Sequence, residues 1–132
     1  MRFTEREMTL ALQGAAQQVL AAKDKDVRKG RRTADEAWTA LTQHQRYVLL
    51  DGLGTQVLPT FVALPDVAVE PGTRPTFTDA EIEAAVLETG AADLGGLRGK
   101  VVLKARVALV KLALECVPPR ADPDALIVPD HL

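Results

Sequence analysis

Two stretches of the sequence concentrate positive charge that could bind phosphate groups, and the first is KDKDVRKGRR, residues 23–32. Each Lys or Arg that pairs with a nucleic-acid phosphate releases counterions, so a basic cluster favours nucleic-acid or phosphate-ligand binding. However, Asp24 and Asp26 offset part of the charge, and no interleaved aromatic residue could stack on bases. The alternative is a solvated loop whose cations stabilise the end of the preceding helix. The four candidate contact residues are Arg28, Lys29, Arg31 and Arg32.

The second basic stretch is ADLGGLRGKVVLK, residues 92–104, which combines glycines with a lysine. A phosphate-binding P-loop requires a glycine, four further residues, Gly-Lys, and then Ser or Thr. Here only three residues separate Gly95 from Gly99, and Val101 follows Lys100, so the P-loop is excluded. What remains is a helix N-terminus at which Arg98 and Lys100 could help to hold an anion. The alternative is a simple glycine turn between two helices.

A third group, His44, Tyr47 and Asp51, has spacings of three and four residues and so should lie on one side of a helix. A histidine near a carboxylate could act in acid–base catalysis. The group has no nucleophile, and the only other histidine is His131, while Cys116 lies in an apolar helix that should raise its pKa. We therefore interpret the group as a polar helix edge and predict no catalytic residue, cofactor or metal site.

The elements that must position these residues are helices, because three segments begin with a capping box. In this motif a threonine hydroxyl accepts a hydrogen bond from the backbone N–H three residues later, and the glutamate there reaches back. The sequence contains this pattern at Thr4 and Glu7, at Thr33 and Glu36, and at Thr78 and Glu81. Apolar residues then recur at three- and four-residue steps, which is typical of amphipathic helices.

The pattern predicts an all-α fold: a single domain over residues 1–132 built as a small bundle of four to five helices. The predicted helices span about 5–22, 34–51, 79–88 and 97–117. Gly52 and Gly54 should end the second helix, with a further turn near Pro59. The last helix should be central and mostly buried, and residues 118–132 should form an extended proline-rich tail whose apolar residues 125–128 could pack on the core.

Composition is that of a water-soluble protein, with 47% hydrophobic and 26% charged residues and a net charge of −2. The two most apolar stretches are residues 47–64, which contain Asp51, Gln56 and Pro59, and residues 101–117, which contain four charged residues, so we predict no membrane span. One cysteine and no secretory signal predict a cytoplasmic location. Heavy use of Ala, Val, Leu and Arg suggests a GC-rich bacterial genome. The complete lack of serine excludes serine-hydrolase chemistry.

These observations favour a non-catalytic protein–protein interaction or regulatory module. The last helix and residues 125–128 offer more apolar surface than three short helices can cover, so self-association as a homodimer is one expectation. The alternative is a nucleic-acid or phosphate-ligand binding protein that uses the basic cluster at residues 28–32.

Overall fold

The computed structural model describes residues 1–90 and 95–122, and the predicted all-helical fold is confirmed in them, with no strand. The apolar segment 125–128 lies outside the described residues. The six helices in the described part of the chain are α1 (Glu5–Lys23), α2 (Lys25–Arg28), α3 (Ala34–Ala40), α4 (Gln43–Ala63), α5 (Asp79–Glu88) and α6 (Gly96–Glu115).

The predicted helix over 34–51 is wrong, because the chain breaks into α3 and α4 at this point. Leu41 is extended, and Thr42 begins a new helix whose capping box is completed by Gln45. The Thr42 hydroxyl accepts a hydrogen bond from the Gln45 N–H at 3.1 Å, and the Gln45 side chain accepts one from the Thr42 N–H at 2.8 Å. The three boxes expected from the sequence are also formed, at the starts of α1, α3 and α5.

Helix α4 also continues through Gly52, Gly54 and Pro59, which were expected to interrupt it. Its buried residues Leu53, Val57 and Phe61 recur every four residues and pack in the core. Burial of this stripe outweighs the poor helix propensity of the glycines and the hydrogen bond lost at the proline. The carbonyl that Pro59 leaves without a donor is that of Thr55, which is exposed and can be solvated.

The core lies where α1, α4, α5 and α6 meet. Helices α1 and α4 run antiparallel, since Phe3 contacts Phe61 with ring centroids 4.7 Å apart, while Leu12 lies beside Gly54. Helices α5 and α6 also run antiparallel, because Lys111 near the end of α6 forms an ion pair of 2.9 Å with Asp79 at the start of α5. The fully buried core side chains include Val57, Phe61, Val86, Val110 and Val117.

Burial along α6 is uneven, which differs from the expectation of a helix buried along most of its length. Val110 and Ala113, in its second half, are completely buried. In its first half, only Gly99 is buried, and Leu97 and Val101 are 79% and 61% exposed. Helix α6 is therefore held in the core at its end and carries an open apolar surface near its start.

An ion pair fastens the chain after α6 to the start of α1. The guanidinium of Arg120 donates to both carboxylate oxygens of Glu7, at 2.8 and 3.1 Å. The backbone of Arg120 also exchanges hydrogen bonds with the loop before α5, donating to the Thr73 carbonyl and accepting from the Gly72 N–H. This residue therefore connects three segments that are far apart in the sequence.

We expect the substitution Thr60→Val to raise the free energy of unfolding by about 1 kcal/mol, because a buried polar group without a partner costs free energy. The Thr60 side chain is fully buried, and its hydroxyl has no hydrogen-bond partner within residues 1–90 and 95–122. Urea unfolding measures the change. The control is Thr55→Val, since that exposed hydroxyl donates to the Asp51 carbonyl at 2.9 Å. A destabilised Thr60→Val variant would contradict this expectation.

Candidate functional site

The basic cluster at residues 28–32 is partly neutralised by its own neighbours. Asp24 is the N-cap of α2, accepting from the Val27 N–H at 3.0 Å, and it forms an ion pair with the half-buried Arg32. Arg31 pairs with Asp26 at 3.5 Å between the side chains, and its N–H donates to the Asp26 carbonyl at 2.7 Å. These contacts close the turn after α2.

The ion pair also shifts the acidity of both partners. The hydrogen bond from Arg32, together with the Val27 N–H, holds the pKa of Asp24 below its ordinary value. The same hydrogen bond raises the pKa of Arg32. Arg31 and Arg32 therefore contribute to the turn, and Arg28, Lys29 and Arg31 are the exposed cations of the cluster.

The other two predicted phosphate contacts, Arg98 and Lys100, lie near the start of α6 and are exposed. Gly95 forms the N-cap with a φ of 65°, which favours glycine, and among residues 1–90 and 95–122 no side chain caps this helix. Arg98 and Lys100 lie on α6, whereas the 28–32 cluster lies at the end of α2 and in the turn after it. The two basic stretches are therefore carried by different elements.

His44, Tyr47 and Asp51 lie on the exposed side of α4, close to its start. Tyr47 and Asp51 line a shallow groove of about 520 Å³ together with Leu12 of α1. No hydrogen bond joins the three side chains in the described structure, and none of them is buried. Their arrangement is that of a polar helix edge.

Further observations concern metal, thiol and membrane chemistry. Burial, with the neighbouring Glu115 charge, raises the pKa of the Cys116 thiol, as expected from its apolar setting. No group of three or more potential metal ligands occurs in the part of the chain that the structure describes. None of the described helices has the length and apolar character needed to span a membrane.

The most distinctive surface is the outward side of the α5–α6 hairpin. Three large apolar side chains are exposed toward its connected end, where α5 ends and α6 begins: Leu87 of α5 is 52% exposed, and Leu97 and Val101 of α6 are more exposed still. Continuing the antiparallel register set by Asp79 and Lys111 places Leu87 opposite the first half of α6. Soluble proteins tolerate single exposed apolar residues, whereas a group of them is typical of a binding surface.

A groove of about 500 Å³ continues this surface between the two helices. Leu103, Val107 and Ala108 form its apolar part. Asp79 and Glu83 line it on the α5 side, and Lys100, Lys104 and Lys111 line it on the α6 side. We call this groove, together with Leu87, Leu97 and Val101, the hairpin surface.

The sequence did not identify the hairpin surface, because α6 is apolar on most of its circumference and its pattern alone cannot show which side is covered. Comparison with protein-family models, with curated proteins and with solved structures finds no match for this chain. Its function therefore has to be inferred from its own residues.

Proposed function

We propose that this chain is a non-catalytic protein-interaction module that binds its partner through the hairpin surface. The observation that carries the proposal is the exposure of Leu87, Leu97 and Val101 at one end of a two-helix groove. Removing apolar area from water contributes about 25 cal/mol per Å², so covering these side chains would favour association. With one cysteine in the chain, the cytoplasm is the compartment that we propose for this module.

The partner must match both the apolar and the charged parts of the surface. Leu97 and Val101 require apolar side chains opposite them. The carboxylates on α5 and the ammonium groups on α6 require a partner that presents charges of both signs. Electrostatic complementarity of this kind contributes mainly to specificity and to the association rate.

Site-directed photo-crosslinking in the cells that make this protein tests the proposal. We expect a photoreactive amino acid at position 101 to give one discrete crosslinked product. Mass spectrometry then identifies the protein in this product. The same group at position 62 is the control, because Val62 of α4 is 72% exposed and lies outside the hairpin surface. Identical products from both positions, or a product that survives Leu97→Asp, would refute the proposal.

A further inference from the structure

The two helices of the hairpin carry opposite charge. Helix α5 contains no basic residue, and its acidic residues are Asp79, Glu81, Glu83 and Glu88. Helix α6 contains Glu115 as its one acidic residue, and its basic residues are Arg98, Lys100, Lys104, Arg106 and Lys111. Of these residues, Asp79 and Glu83 line the groove on one side and Lys100, Lys104 and Lys111 on the other, so the hairpin surface has an acidic side and a basic side.

This distribution is complementary to itself. We propose that the partner of the hairpin surface is the same surface of a second copy of this chain. This inference rests on the proposed function. The two copies are related by a two-fold axis that runs along the hairpin. An axis in this direction sets α5 of each copy against α6 of the other, so acidic and basic sides meet twice.

The other face-to-face two-fold arrangement is disfavoured by charge. An axis perpendicular to the helices within the interface would place α5 against α5 and α6 against α6. Carboxylates would then face carboxylates, and ammonium groups would face ammonium groups, which is destabilising in an interface. The axis along the hairpin also places the connected ends of both hairpins at the same end of the interface, so Leu87, Leu97 and Val101 of the two copies lie close together there.

In the proposed arrangement the antiparallel register within one chain predicts the contacts between chains. Asp79 lies beside Lys111 within the hairpin, so Glu83 is at the level of Val107 and close to Lys104. Because the axis runs along the hairpin, Glu83 of one copy faces this same level of α6 in the other. Glu83 and Lys104 are therefore the charge pair to test.

An anionic lipid surface fits the same region less well. The basic side of α6 with Leu97 and Val101 has the composition of a membrane-binding helix. However, the carboxylates of Asp79 and Glu83 line the same groove and would be repelled by anionic headgroups. A protein surface that supplies both charges satisfies both sides of the groove.

Light scattering and sedimentation over a range of protein concentrations measure the association. We expect a wild-type dimer, and a monomer for Leu97→Asp/Val101→Asp that keeps the wild-type helix content by circular dichroism, because both side chains are exposed and are not needed for the fold of one chain. The control Val62→Asp should remain a dimer. A monomeric wild type at all concentrations, or a dimeric Leu97→Asp/Val101→Asp variant, would overturn the second-copy proposal.

Charge reversal tests the direction of the axis. We expect Glu83→Lys and Lys104→Glu each to weaken dimerisation by about tenfold, because each reverses two symmetry-related contacts. A one-to-one mixture of the two variants should restore wild-type affinity, since every reversed residue then faces its opposite. Single variants that dimerise like the wild type, or a mixture that is not restored, would contradict the proposed axis.

The two proposals fail separately. A monomeric wild type that still gives a different crosslinked protein from position 101 would overturn the second copy and leave the interaction module standing. If neither association is seen and the protein instead sediments with phosphatidylserine vesicles through Leu97 and Val101, both proposals are wrong and the hairpin surface binds lipid.

Discussion

We expect the substitution Arg120→Met to lower the free energy of unfolding by about 3 kcal/mol, because it leaves a buried carboxylate without its cation. The Glu7 side chain is only 4% exposed, and that of Arg120 is 26% exposed. Removing one member of a buried pair costs more than an exposed salt bridge contributes, since the remaining charge cannot be resolvated without local opening. Urea unfolding at pH 7 measures the loss.

The substitution Glu7→Gln removes the ion pair with Arg120 but keeps the helix cap, so the two contributions can be measured separately. Gln45 shows that glutamine can complete a capping box in this protein, so Glu7→Gln should preserve the cap of α1. The double variant Glu7→Gln/Arg120→Met should recover part of the stability lost in Arg120→Met, because no buried charge remains. Glu81→Gln is the matched control, since Glu81 fills the same place in the α5 box without an arginine partner. Glu7→Gln should lower the free energy of unfolding more than Glu81→Gln does, because only Glu7 has the arginine partner. Equal decreases in the free energy of unfolding would refute this explanation.

The effect of the Arg120 substitution should depend on pH. Burial acts to raise the pKa of Glu7, but the hydrogen bonds from the Thr4 N–H and from Arg120 outweigh it and hold the pKa below the ordinary glutamate value of 4.5. The unfolded state therefore binds the proton more tightly than the folded state. The resulting stability is complete above the unfolded pKa and is lost as the pH falls through the folded pKa. We expect the difference between wild type and Arg120→Met to shrink below pH 4.5.

The second large effect is expected at the contact between α1 and the end of α6, where Gly14→Ala should lower the free energy of unfolding by about 1–2 kcal/mol. A Cβ atom at position 14 would lie 2.7 Å from the Cβ of Cys116 and 2.8 Å from its Sγ. The Cys116 Cβ is attached to the backbone and cannot rotate away, so the two segments must separate. The gain of about 1 kcal/mol from replacing a helical glycine offsets only part of this cost.

Gly52→Ala is the matched control, and it should change stability in the opposite direction. Gly52 also lies inside a helix, but nothing is found within 4 Å of the position that its Cβ would occupy. The substitution should stabilise the protein by about 0.5–1 kcal/mol. Thermal and urea unfolding of both variants provide the comparison. Two changes of the same sign would show that packing against Cys116 does not decide the outcome.

The beginnings of helices were the most predictable part of the fold, because a capping box is a local signal. Thr4 with Glu7 and Thr78 with Glu81 mark the first residues of α1 and α5. The division between α3 and α4 could have been found in the same way, since Thr42 with Gln45 is the glutamine form of the box. The length of α4 could not, because its continuation past Pro59 depends on burial against other helices.

The contacts that join distant parts of the chain were not predictable. Glu7 and Arg120 are 113 residues apart, and no periodicity links them. The candidate site shows the same limit. Lys100, Lys104 and Lys111 all line one groove, but the apolar residues beside them belong to a helix that was expected to be mostly buried. Only the position of α5 relative to α6 reveals which side is open.

The start of α6 has a thermodynamic consequence for any association through it. Helices α1, α3, α4 and α5 begin with side-chain caps, whereas α6 has Gly95 as its N-cap and Arg98 in its first turn, where the helix dipole favours an anion. Among the described residues no side chain caps this turn, and Leu97 and Arg98 in it are exposed, so it is the place where α6 should fray. Binding must then fold these residues into the helix as well as cover them. The heat-capacity decrease on association will therefore exceed the value calculated for docking two rigid surfaces.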